Sequence, residues 1–263
     1  MTGTPMPFDF TAVQVAAFIL ILLRAAGLFL TSPLFASRNI PATVKAAWAL
    51  LTAFLLLPTV PVDPAAIPLT GVQFGLASIR ELVVGFVLGM AAYLLFVGIQ
   101  LAGQIIDIQM GLGMVNIIDP LTSTQVSVMG QYFYLVATLV FLAVDGHHLL
   151  IRGIADSYQV LPLAGAKLTP EVASKMSDLF SNAFFIAFRV GAPVIGALFL
   201  TNLALGVLAR TVPQMNVFIV GMPLSIAVGL IMVAVSMGFF AYVLKGLYQG
   251  LYRDLAILVK AMA

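Results

Sequence analysis

The chain has 263 residues, of which 62% are hydrophobic and only 8% charged, and its mean hydropathy is +1.13. That balance excludes an ordinary soluble domain, and a formal charge of +2 carried by scattered basic residues excludes a nucleic-acid binder. With no cysteine there is no disulfide framework, no thiolate metal site and no cysteine nucleophile.

The first ten residues carry Asp9 and no basic side chain, so they lack the basic region of a cleaved signal peptide. The first helix is therefore expected to stay in the mature chain. It covers the apolar run Phe10 to Leu30, with Arg24 inside it, and ends at Thr31 to Pro33 because the residue before a proline avoids the α region. A second run, Ala46 to Leu57, is fenced by Pro41 and Pro58. Its 12 residues rise about 18 Å against a hydrocarbon core of roughly 30 Å, so it is not expected to cross lipid alone. The third helix begins near Gly71, carries Arg80 and Glu81 together, and runs uncharged from Leu82 to Ile106.

Between Gln104 and Thr124 the sequence turns polar and rich in glycine and methionine, bounded by Asp107 and Asp119. Irregular backbone of this kind in contact with lipid would leave amides and carbonyls unpaired at several kcal/mol each, so the segment must be shielded by protein or line water. Beyond it come a fourth helix from Val126 to Val144, a mixed polar stretch from Asp145 to Asp178, a fifth helical region from Leu179 to Ala209 broken at Pro193, and a sixth from Val217 continuing to Gly250. The expected fold is an all-α integral membrane protein with about six hydrophobic helices in hairpins, some kinked or not fully spanning. It is read as a single membrane domain, with residues 107–123 as a loop between the third and fourth long helices. Lysine and arginine in the short loops favour a cytoplasmic C-terminus and leave the N-terminus open.

Ionisable residues inside apolar helices are functional candidates by default, and Arg24, Arg80, Glu81, Asp107, Arg189 and Arg210 qualify. Arg80 and Glu81 are adjacent and point about 100° apart, so each is expected to reach a neighbouring helix or another subunit. For the four arginines the plain alternative is snorkelling to the interface. Gly85 with Gly89, Gly221 with Ser225 and Gly229, and Gly246 with Gly250 repeat at four-residue spacing, as in closely packed membrane helices. His147 and His148 diverge on a helix and have only Asp145 as a nearby third ligand, so no metal and no cofactor are expected. Catalytic motifs are absent, and Asp107 and Asp119 stand twelve residues apart with glycines between, which argues against an enzyme.

Five blocks now suggest a family. RAAGLFLTSPLFASRNIPATVKAAWAL (Arg24 to Leu50), the EL-x-x-G-x-x-x-G of Glu81 to Gly89, AGQIIDIQMGLGMVNIIDP (Ala102 to Pro120), FLAVDGHHLLIRGIADSYQVLP (Phe141 to Pro162) and ARTVPQMNVFIVGMPLSI (Ala209 to Ile226) resemble, in order, the FliR family of flagellar type III export-gate subunits. The resemblance implies a multi-pass protein of the bacterial inner membrane, in the flagellar basal body. FliP-like and FliQ-like subunits would be its channel partners, with an FlhB-like subunit nearby, unfolded exported proteins as cargo, and lipid around the assembly. It further implies that the segment after the third helix plugs the closed pore through Gln109, Met110, Gly111, Leu112, Gly113, Met114, Val115, Asn116, Ile117 and Ile118. Arg80, Glu81, Asp107, Arg189 and Arg210 become expected subunit contacts. A homologous subunit of a virulence secretion system and, further off, a small-solute transporter are the alternatives.

Overall fold

The computed structural model describes residues 12–36, 40–114, 127–212, 214 and 216–263. Seven α-helices occur among them: α1 (Ala12–Thr31), α2 (Ala42–Leu56), α3 (Gly71–Met110), α4 (Val128–Ala143), α5 (Gly146–Val160), α6 (Pro170–Thr211) and α7 (Val217–Met262), with a short 3-10 turn at Leu112–Met114. No strand occurs among the described residues. Helices α1, α3 and α6, and α7 from Ile219, are each long and apolar enough to cross a membrane, whereas α4 and α5 pass that test only as a broken pair and α2 is too short. The all-α membrane fold is therefore observed, including the short second helix.

Several boundaries differ from those read off the sequence. Residues 107–110, expected in the loop, form the last turn of α3. The mixed polar stretch contains a whole helix, α5, and α6 starts nine residues earlier than Leu179, at Pro170. Proline at the first helical position costs nothing there, since that amide has no helical partner in any case. Pro193 does not break α6, and α7 runs on to Met262, through Pro223. At 1.5 Å per residue the 46 residues of α7 extend about 69 Å if straight, over twice the hydrocarbon thickness.

The chain forms two compact units, neither of them contiguous in sequence. Residues 1–93, 145–177 and 250–263 make the first. In it α1 buries Ala16, Ala17, Leu20, Ile21, Arg24, Ala25 and Leu28, a stripe at three- and four-residue spacing. α3 approaches α1 backbone to backbone: a Cβ at Gly85 would collide with the Arg24 carbonyl, and one at Gly89 with Thr31. Thr31 Oγ1 donates across this seam to the Phe86 carbonyl at 3.3 Å. The glycine pair is thus intrachain packing of the small-xxx-small kind. The end of α7 buries Leu251, Leu255, Leu258, Val259 and Met262 in the same unit. Its last carbonyls lack helical donors, and the loop before α6 supplies them: Lys167 N donates to Met262 O at 2.9 Å and Thr169 Oγ1 to Ala261 O at 2.8 Å.

Residues 94–144 and 178–249 make the second unit. Its core is aromatic, with Phe96 edge-on to Tyr134 and Phe141, Phe141 on Tyr248, and Phe133 on Phe240. The buried Tyr248 hydroxyl donates to the Ala137 carbonyl at 2.7 Å, which relieves the one polar atom this ring brings into the core. Along α6 and α7 many large apolar residues stay exposed, among them Phe180, Phe184, Phe185, Phe188, Phe199, Ile231 and Val235.

Gly85→Ala should force α1 and α3 apart and lower stability by about 1–3 kcal/mol. Gly196→Ala, with nothing within 4 Å of the new methyl, should be neutral or stabilising by up to about 1 kcal/mol. Thermal unfolding of the two purified variants in one detergent checks the pair, and equal losses would contradict the seam.

Candidate functional site: the segment after α3 and the buried charges

The end of α3 is held by a carboxylate. Asp107 is only 5% exposed and accepts hydrogen bonds from Ser127 Oγ and from the Met129 amide, the latter at 3.2 Å. Ser127 is the N-cap of α4 and its Oγ also accepts from the Gly130 amide at 2.8 Å. An acidic group at a helix N-terminus meets unpaired amides and the positive end of the dipole, so Asp107 belongs to the capping of α4. In consequence it ties residue 107 to residue 127 and clamps both ends of the intervening segment. Asp107, expected as a subunit contact, thus has hydrogen-bond partners within its own chain.

Inside the clamp α3 stops at Met110, and Gly111 adopts φ +80°, a left-handed conformation that glycine reaches without Cβ strain. A 3-10 turn follows at Leu112–Met114. Met110 is fully buried against Gly229 of α7. The Gln109 carbonyl accepts from Asn202 Nδ2 of α6 at 3.4 Å, and Ser225 of α7 donates to Asn202 Oδ1 at 3.1 Å. Of the expected plug residues, Gln109 and Met110 are therefore helical and anchored, and Gly111, Leu112, Gly113 and Met114 form the exit turn. Val115, Asn116, Ile117 and Ile118 lie outside the described residues, as does Asp119.

A second polar cluster sits in the first unit. Arg24 Nε lies 2.5 Å from Glu81 Oε2, with both side chains fully buried. Arg24 Nη1 also donates to Ser157 Oγ at 2.8 Å, and the guanidinium reaches the Leu161 carbonyl at 3.3 Å from both terminal nitrogens. The other Glu81 oxygen accepts from the Ala164 amide at 2.8 Å, and the Arg24 guanidinium stacks 4.0 Å from the Tyr158 ring centre. Both Glu81 oxygens are thus engaged within the chain, and of the two expected partners, a neighbouring helix or another subunit, the fold supplies the helix α1. Snorkelling of Arg24 is corrected, since a fully buried guanidinium does not reach the interface. Arg80, Arg189 and Arg210 are exposed and make no ion pair among the described residues. Sequence reasoning singled out Arg24 and missed its partners, which lie 57 to 137 positions away.

The model of bacterial export proteins, family 1, matches residues 15–251. The chain belongs to this family. Among relatives of this export family, it is 39% identical over 236 residues to the flagellar biosynthetic protein FliR of Bacillus subtilis (strain 168), covering 89% of this chain and 90% of that one. The flagellar biosynthetic protein FliR of Aquifex aeolicus (strain VF5) is 33% identical over 237 residues, 88% of each chain, and that of Escherichia coli (strain K12) 29% identical over 241 residues, 92% of each. Membership makes the chain an export protein and not an enzyme, and its apolar helices make it a membrane protein.

Removing one partner of a buried ion pair strands the other charge, so Glu81→Ala should cost about 3–5 kcal/mol. The exposed neighbour Arg80→Ala should stay within about 0.5 kcal/mol of the parent. Detergent-solubilised thermal melts of both variants decide the matter; a comparable loss for Arg80→Ala would contradict the assignment.

Proposed function

We propose that the chain is a core subunit of the flagellar type III export gate, and that the segment from Gln109 to Pro120 closes the gate's pore. The names of its relatives support the flagellar branch over a virulence secretion system. On this reading the subunit sits in the bacterial inner membrane at the flagellar basal body. It joins FliP-like and FliQ-like subunits around a channel for unfolded flagellar proteins, with an FlhB-like subunit adjoining. Partner subunits and lipid would cover the exposed phenylalanines and aliphatic residues of α6 and α7. Arg80, Arg189 and Arg210, exposed on their helices, would be available to partners.

The observation that carries the pore-closing role is the clamp at Asp107. Asp107 at one end of the segment is joined to Ser127 and Met129 at the other, and the left-handed Gly111 ends α3 between them, so both flanks of the proposed gate are fixed. Beyond the anchored Met110, its members Leu112, Met114, Val115, Ile117 and Ile118 are apolar. Apolar groups in a narrow pore dewet it and block ions, and methionine repacks easily around varied cargo.

Deletion of Gly111 to Val115 should leave the complex assembled and make the closed channel conduct ions. Copurification with the partner subunits checks assembly, and single-channel conductance in planar bilayers checks closure. Unchanged conductance in an assembled complex would remove the plug reading.

A further inference from the structure

The break between α4 and α5 carries a cluster that the export role does not use. We infer that Asp145, His147 and His148 form a binding site for a first-row divalent transition metal, with zinc the natural probe. Three observations converge on it. Asp145 is the N-cap of α5, a position where aspartate ordinarily accepts from an amide two or three residues on, yet its side chain makes no such bond. Instead its backbone is left-handed, at φ 57° and ψ 30°, and its carboxylate oxygen lies 3.3 Å from His148 Nδ1. Tetrahedral zinc, with bonds of about 2.0–2.1 Å, sets its ligand atoms roughly 3.4 Å apart, so this pair already stands at ligand spacing.

The histidines do not diverge as expected for consecutive helical residues. Their ring centres are 4.2 Å apart, and each of the three residues offers a ligand atom within 4.8 Å of the others. His147 Nδ1 is shielded from solvent and has no hydrogen-bond partner, and a shielded nitrogen of that kind is relieved by a metal ion. Closing the triad asks less than about 1.5 Å of movement from side chains, two of which are largely exposed. Two imidazoles and one carboxylate suit zinc, nickel, cobalt or copper, whereas magnesium and calcium favour all-oxygen sites. Three protein ligands leave the fourth position for water or for a donor from another subunit. An ion held there would fix the first turn of α5 against the residue that precedes it.

The composition makes the test clean. These are the only two histidines in the chain and there is no cysteine, so soft or imidazole-type binding has no second source. The full-length protein, purified in detergent through a tag free of histidine, is loaded with zinc or cobalt and passed over a desalting column. One zinc ion per chain is expected, with the intense visible absorption of tetrahedral cobalt in the parallel sample. His148→Gln and Asp145→Asn alter exposed side chains, and each should weaken binding by more than roughly ten-fold while eluting and melting like the metal-free parent. Failure of the parent to retain zinc, or unchanged affinity in either folded variant, would overturn the site.

Discussion

Burying Arg24 and Glu81 takes two of the chain's 22 charged residues out of water altogether, and the first unit is arranged around that fact. Desolvation costs several kcal/mol per ion, and only close pairing with further hydrogen bonds offsets it. Every nitrogen of the Arg24 guanidinium has an acceptor, and both Glu81 oxygens have donors. Those partners come from α1, α3, and α5 with the loop that directly follows it, so three stretches distant in sequence are fixed by one network. A different register of α1 on α3 would strand a charge, and the glycine seam at Gly85 lets the two backbones come close enough for Arg24 and Glu81 to meet.

The same rule, that polar groups shut away from water must be paired, shapes the second unit at lower stakes. Asp107 is spent on the amides of α4, the Gln109 carbonyl on Asn202, and the Tyr248 hydroxyl on a backbone carbonyl. What results is a firm frame on both sides of a short segment whose own sequence is apolar and glycine-rich.

Much of this was legible in the sequence, and the misses have physical causes. Long apolar runs announced α1, α3 and α7, because lipid or partner contact demands apolar surface all round. The too-short second helix was readable from its flanking prolines. Helix α5 was hidden because His147, His148, Arg152, Asp156 and Gln159 make it less apolar than the other helices, although Leu150, Gly153, Ile154, Ser157 and Tyr158 lie buried at helical spacing. Its periodicity was the available signal. Glu81 and Asp107 were recognised as charges in need of mates, and their intrachain partners were not named: sequence shows that a charge needs a mate and not which of many distant groups supplies it. Pro193 was over-read as a break, since long apolar helices tolerate the lost hydrogen bond when neighbouring groups satisfy it.

Density for the intact export complex, purified with its partner subunits in the closed state, tests the central claim most directly. The account places residues 109–120 of this chain across the channel axis, with the Asp107–Ser127 clamp at the pore wall. Density that put this segment on the lipid-facing exterior of the assembly would contradict it.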